Sequence, residues 1–355
     1  MMKIGLLGLP LAGKTTFFNL LTGAGVATAT YAGERDSHTG VAKVPDERID
    51  FLSGLYKPQK TTQARIDIID IPGLGQGGAA EFAGPMQDAD ALVIITRGFT
   101  NDALGVCDQP QPAADLQDVL TELIITDLNV VERRLERLSK NKKAGKEIPG
   151  EQEALEKALQ ALENEQTVIG QEYTAQQRLA LNNYGLYTDK PMLAVLNTSE
   201  EGLRTKEAPG QAELEEYAYR HHMPLLTVCA PLEEEISELP EEERGLFLED
   251  LGLKKSGVAR LAQAAYAHLD LISYFTVGSD EVRAWTIKRG TTAREAAGKI
   301  HSDIERGFIR AEVVSYKDMV QERTVPKLRE KGLLRLEGKD YIVQDGDIMA
   351  FRFNV

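Results

Sequence analysis

The sequence predicts an α/β protein with a helical insertion and a small α+β domain. Three observations carry that prediction. Residues 1–115 alternate short apolar runs with helical patterns, which implies a parallel sheet with helices on its faces. Residues 116–182 change to an apolar period between three and four, which is helical. Residues 190–230 return to apolar runs, so the helical segment interrupts one domain rather than following it.

The elements follow in order. "KIGLLGL" reads as a buried strand and "KTTFFNLLTG" as a helix closed by Gly23. "ARIDIIDIPG" and "ALVIITRGF" are two further strands. Leu120, Ile124, Leu128, Val131, Leu135 and Leu138 then recur at steps of three and four, and Leu155, Leu159 and Leu162 repeat the habit. Between the two stripes lies the polar turn "SKNKKAGKEIPGE". The segment is two long amphipathic helices folded back as a hairpin, or a short antiparallel coiled coil. "KPMLAVLNTSEEG" and "MPLLTVCAP" restore the strands. "EVRAWTIKRG" and "DYIVQDGDIMAFRFNV" flank the helical "TAREAAGKIHSDIERGF", a strand–helix–strand tail. The expected division is therefore 1–115 with 183–272 as one discontinuous domain, 116–182 as the insert, and 273–355 as the tail.

Composition narrows the function classes. With 41 basic and 55 acidic side chains the net charge is −14, which disfavours nucleic-acid binding over the whole surface but permits a local basic patch. Cys107 and Cys229 are too few for a disulfide framework or a cysteine-based zinc site, and a reducing cytosol is the simplest setting. The N-terminal stretch reads as neither signal peptide nor membrane span, so a cytoplasmic protein without a membrane partner is expected. His221 and His222 are adjacent, point apart and lack further ligands nearby, which excludes them as a metal pair.

The chemistry sits in Gly8-Leu9-Pro10-Leu11-Ala12-Gly13-Lys14-Thr15, which fits G-x4-GK[ST] between a strand and a helix. Its glycines let backbone N–H groups turn onto phosphates, and the helix adds its positive end. Gly8, Leu11, Ala12, Gly13, Lys14, Thr15 and Thr16 are the expected phosphate-side residues. Lys14 is placed to meet β and γ oxygens, and Thr15 to offer its hydroxyl to Mg²⁺. Asp70, ending the strand "RIDII", is the second expected Mg²⁺ residue, and Gly73 the N–H donor to a γ-phosphate. Asn197, Thr198 and Glu200 end "MLAVLNTSE", where guanine-specific relatives carry N-K-x-D. With Glu200 at the aspartate position, guanine selectivity falls and ATP becomes acceptable. "LLTVCAP" ends in Cys229 and Ala230, where a backbone N–H is expected to meet the base.

With these residues in hand, the chain resembles the YchF-type ATPases, an Obg-related family of P-loop proteins. "GLPLAGKTT" resembles the family's GLPNVGKST, and "NTSE" its NxxE base-reading motif. "LEEEISEL", "EVRAWTIKRGTTAREAAGKIHSDIERGFIRAEV" and "GKDYIVQDGDIMAFRFNV" resemble downstream stretches, so the likeness spans nearly the whole length. The resemblance implies a P-loop NTPase domain with an inserted helical hairpin and a C-terminal TGS-type domain. It also implies an Mg²⁺-dependent ATPase, able to use GTP, that associates with the ribosome in translation or stress control. The alternative is a nucleotide-sensing ribosome- or protein-binding module with little hydrolysis.

The departures bear on rate. Leu11 stands where the family has an Asn that can help hold an activating potassium ion. Glu34 or Arg35 aligns with the family's first-switch Thr, with Thr28, Thr30 and Thr39 nearby but unmatched. The second switch is short and lacks the histidine of some members, while Leu74 is apolar as in the family, so a water-orienting glutamine is absent there. Slow intrinsic hydrolysis is expected.

One charged surface stands out. Arg133, Arg134, Arg137, Lys140, Lys142, Lys143 and Lys146 face only Glu136 toward the hairpin tip, a patch suited to rRNA. By resemblance, the expected partner is the large ribosomal subunit.

Overall fold

The computed structural model describes residues 2–25, 38–71, 83–102, 105–140 and 148–354. Among them twelve strands form: β1 (Lys3–Gly8), β2 (His38–Val44), β3 (Lys60–Thr62), β4 (Ala64–Asp70), β5 (Ala91–Gly98), β6 (Met192–Thr198), β7 (Leu225–Val228), β8 (Leu271–Thr276), β9 (Glu281–Lys288), β10 (Phe308–Ser315), β11 (Arg335–Glu337) and β12 (Asp347–Phe353). The chain divides into two compact units, residues 1–42 with 67–261 and residues 43–66 with 262–355.

The first unit carries a sheet of order β2-β4-β1-β5-β6-β7. β1 runs parallel to β4 and β5, β5 to β6, and β6 to β7. β1, β5 and β6 are buried nearly end to end, as parallel strands covered on both faces must be. Parallel strands place their carboxyl ends together. Gly8, Asp70, Gly98 and Thr198 therefore share one edge of the sheet, the edge where open α/β sheets bind ligands.

The insert begins as helix Pro112–Lys140, 29 residues and roughly 44 Å long. Its first turns pack under the sheet: Leu116, Val119, Leu120 and Leu123 join Leu7, Ile71 and Leu92 in one core. Its later turns leave that core. Ile124 and Val131, with Leu128, Leu135 and Leu138, meet Ala154, Leu155, Ala158 and Leu162 of helix Glu151–Glu163. The expected stripe thus serves two cores, with Leu120 on one side of the division and Ile124 on the other. The hairpin is unequal, because the second helix has only 13 residues. A third helix, Ala175–Leu181, capped by Thr174 and Gln177, adds Leu181 to the hairpin core.

The second unit holds a sheet of order β11-β10-β12-β8-β9-β3. Helix Ala293–Ile300 starts in a capping box of Thr292 and Glu295 and covers a core containing Tyr274, Ile287, Val313 and Met349. Trp285 packs on this core, its indole N–H donating to Thr276 Oγ1 at 3.0 Å. Residues 43–66, placed by sequence in the first domain, group here instead. β3 pairs in parallel with β9 from Lys60↔Glu281 to Thr62↔Arg283, and Arg48 donates to Asp345 at 2.9 and 3.1 Å. A three-residue polar strand has no readable period, which is why its partner was not foreseen.

Candidate phosphate-binding site

The site grows from the end of β1. Gly8 passes so close to β5 that a Cβ there would meet Ile95 O at 2.6 Å. The loop then turns through Leu11 at φ 64° and Gly13 at φ 92°, both left-handed. Gly13 needs its missing side chain as well, since a Cβ would collide with the Asn197 amide. Leu11 is the exception: a γ-branched residue in a conformation that asparagine and glycine enter more easily, with its side chain 41% exposed. Helix Lys14–Thr22 follows and ends where Gly23, at φ 67°, donates to Asn19 O at 2.8 Å. Its unpaired first-turn N–H groups and its dipole face the loop.

Two cradle side chains converge on one carboxylate. Lys14 Nζ forms an ion pair with Asp70 Oδ1, and Thr15 Oγ1 donates to Asp70 Oδ2 at 3.0 Å. Lys14 and Asp70 side chains are 10% and 5% exposed, so the pair is screened from bulk water. Among the described residues no three His, Cys, Asp or Glu gather as protein ligands for a metal. The hydroxyl and carboxylate of Thr15 and Asp70 instead form a two-oxygen set. That set fits Mg²⁺, which takes few protein ligands and completes its shell with phosphate and water.

The base side is assembled from distant residues. Asn197, 2% exposed, donates from Nδ2 to Ala12 O at 3.0 Å and accepts from Ala230 N at 3.1 Å. It ties the cradle to the start of helix Ala230–Glu238. The Ala230 N–H that sequence reasoning offered to the base is therefore already engaged. Thr198 is 1% exposed and its hydroxyl donates to Gly98 O at 3.3 Å, so its side chain faces the sheet rather than a ligand. Glu200 is exposed in the first turn of helix Glu200–Thr205, capped by Ser199, with Arg204 3.6 Å away. Cys229 is buried; burial is the main cause that pushes its thiol pKa up, Leu232 opposes it, and the nearby Glu200, Glu233 and Glu235 add to it. Ala12 is buried and Thr16 half-buried beside the loop. Gly73, Leu74, Thr28, Thr30, Glu34 and Arg35 lie outside the described residues.

Of the hairpin-tip cations, Arg133 and Arg137 are exposed, and Lys140 pairs with Glu136 at 3.3 Å. Arg134 is withdrawn from the patch: its Nε and Nη2 donate to buried Glu151 at 2.9 and 2.7 Å. A charge run gives no sign of which cation turns inward. Lys142, Lys143 and Lys146 lie outside the described residues.

Sequence reasoning also missed two residues behind the site. Lys190 Nζ donates to Met86 O, Gln87 O and Ala89 O at 2.7, 2.8 and 2.5 Å. Asp127, 1% exposed, accepts from Tyr187 N, Thr188 N and Thr188 Oγ1 at 2.9, 2.7 and 2.7 Å. A charge inside an apolar helix stripe was the available signal for Asp127. Lys190 had none.

Comparison with known proteins completes the picture. A family model described as a 50S ribosome-binding GTPase matches residues 3–125. A second model, for the C-terminal region of YchF GTPases and described only as a protein of unknown function, matches residues 271–354. The chain is 40% identical over 361 residues to the ribosome-binding ATPase YchF of Bacillus subtilis, covering 99% of both chains. It is 40% identical over 362 residues to the protein of the same name from Haemophilus influenzae, again covering 99% of both. The solved structure of the Schizosaccharomyces pombe YchF GTPase superposes with a TM-score of 0.87 at 30% identity, over 99% of this chain and 97% of that one. With such relatives matched over nearly its whole length, the chain is a member of the YchF family.

Proposed function

We propose that this chain is a nucleotide-switched NTPase that binds and slowly hydrolyses ATP with Mg²⁺, accepts GTP, and works on the ribosome. The observation that carries the reading is the convergence of Lys14 and Thr15 on Asp70 at the mouth of the Gly8–Gly13 loop. Nucleotide exchanges these partners. Lys14 turns its ammonium from Asp70 to the β and γ oxygens, while loop and helix N–H groups take the phosphates. Thr15 and Asp70 would hold Mg²⁺, which neutralises charge on the phosphates when bound. Gly73 is proposed as the γ-phosphate donor. Asn197 holds Ala12 and Ala230 so that phosphate and base sides keep one spacing. Exposed Glu200 would leave Arg204 to reach a base, with Cys229 and Ala230 forming the wall behind it. Leu74 offers no hydrogen bond to the attacking water, which supports slow turnover.

Ribosome association is supported by the names of the relatives, and the large subunit by the 50S wording of the matched model. Arg133, Arg137 and Lys140, with Lys142 and Lys143 following in sequence, are proposed to face rRNA. We also propose a cytoplasmic location, and a TGS-type identity for the C-terminal unit. No described helix is long and apolar enough to cross a membrane.

Phosphate release from ATP and GTP, with and without ribosomes, tests the reading. Lys14→Ala is expected to lose about 100-fold or more in turnover, close to 3 kcal/mol of transition-state stabilisation. Equal rates for the variant and the native chain, with no ribosome stimulation, would leave a nucleotide-sensing module.

A further inference from the structure

Residues 187–190 stand between two helices and hold both. On one side, the N–H groups of Tyr187 and Thr188 and the Thr188 hydroxyl converge on the carboxylate of Asp127 in helix Pro112–Lys140. On the other, the Lys190 ammonium spends all three of its protons on carbonyls at the carboxyl end of helix Ala83–Asp88. Met86 O also accepts from Ala89 N at 3.3 Å, and a cation at a helix carboxyl end matches the dipole. The ammonium also lies 5.8 Å from the Tyr187 ring centroid. Apolar packing follows the same route. Met86, fully buried, shares one core with Ile71, which follows Asp70, with Tyr187, and with Leu120 and Leu123 of the long helix.

Helix Ala83–Asp88 has six residues, too few to stand by its own hydrogen bonds. Its position therefore depends on Met86 packing, on Lys190 and on the more exposed Lys3–Asp88 ion pair at 3.2 Å. Burial pulls the Lys190 pKa down, while Asp90, Asp127 and Asp88 pull it up, so the cation sits among three carboxylates.

We infer that Lys190 is a positioning residue that couples the nucleotide site to the helical insert. A shift that starts at Asp70 reaches helix Ala83–Asp88 through the core that Ile71 and Met86 share, passes through Lys190 to the 187–189 turn, and enters helix Pro112–Lys140 at Asp127. The inference rests on the switch reading above and adds the route by which the insert would sense it.

Hydrogen–deuterium exchange of the full-length chain, with and without Mg²⁺ and adenylyl imidodiphosphate, tests the route in the native protein, Lys190→Met and Lys190→Arg. In the native chain the nucleotide is expected to change exchange in residues 8–22 and in residues 112–140 together. In Lys190→Met the change at 8–22 stays and affinity holds within about twofold, while the change at 112–140 falls at least about fivefold, the lower end of ordinary coupling factors. Lys190→Arg restores part of it. A purely structural lysine would raise exchange in both nucleotide states and leave their difference intact, and that result overturns the inference. A native chain protected at 8–22 but unresponsive at 112–140 also overturns it, leaving nucleotide binding in place. No protection at 8–22 sinks the switch reading itself, and the route with it. If Lys190→Met does not fold, Asp127→Asn cuts the same route at its far end without touching helix Ala83–Asp88, and the same loss at 112–140 is expected.

Discussion

Asp70 and Asp127 are both buried carboxylates, 4% and 1% exposed, yet their surroundings are built for opposite purposes. Asp70 is satisfied by two side chains, the Lys14 ammonium and the Thr15 hydroxyl. Each can rotate to another partner without moving the backbone. Asp127 is satisfied chiefly by the backbone N–H groups of Tyr187 and Thr188, which move only if the turn itself moves. A buried acid held by side chains is exchangeable; one held by main chain is a fixed joint. The first suits a ligand site, the second the root of an inserted helix.

Four predictions press on that contrast. The largest effect is expected at Asp70. Asp70→Asn removes the charge that holds Lys14 and the stronger of the two oxygens proposed for Mg²⁺, so ATP turnover should fall about 100-fold while the fold survives, read by phosphate release beside circular dichroism. Asp127→Ala should do the reverse, leaving nucleotide affinity near native. It orphans two buried N–H groups and a hydroxyl, and should lower stability by about 2–4 kcal/mol in urea titration.

The same joint gives a pH signature. Burial raises the Asp127 pKa from 3.8 to about 6 against the pull of the Thr188 and Tyr187 hydrogen bonds. The folded chain then binds this proton more tightly than the unfolded one. The contribution is fully present below pH 3.8, declines as pH rises through about 6, and is flat above. Asp127→Asn should remove that slope from a stability profile taken over the window. The smallest effect belongs to the exchangeable side. Leu11→Asn relieves a left-handed γ-branched residue and should stabilise the chain by about 0.5–1 kcal/mol, a rise of about 1–3 °C in thermal midpoint.

The two regions also differ in how they are read. The cradle was legible because its parts are contiguous: strand, glycines, Lys14 and Thr15 fall within thirteen residues. The hairpin was legible because a long helix must show its apolar period, though Leu120 and Ile124 serve different cores. The base side was half legible. Asn197 was picked out, but its bonds to Ala12 and Ala230 join residues far apart in sequence and leave no local pattern. Lys190 and Arg134 were opaque for the same reason, since a lysine on main-chain carbonyls and an arginine on a buried glutamate look like any surface cation until the fold brings them in. β3 was invisible because a three-residue ladder owes its existence to β9 alone.

That last pairing has a consequence for biosynthesis. Thr62 Oγ1 bonds Glu281 across 219 positions of sequence, and the β3–β9 ladder closes over the same span. At about 5–20 residues per second, the ribosome needs roughly 10–40 s to supply β9 after β3 has left the peptidyl-transferase centre. Throughout that interval β3 has no partner strand, while β2 and β4 on either side of it have each other, and β4 has β1. The nascent chain must therefore assemble its nucleotide-binding sheet around a waiting excursion, and the second sheet takes in its earliest strand only when β9, its third in chain order, arrives.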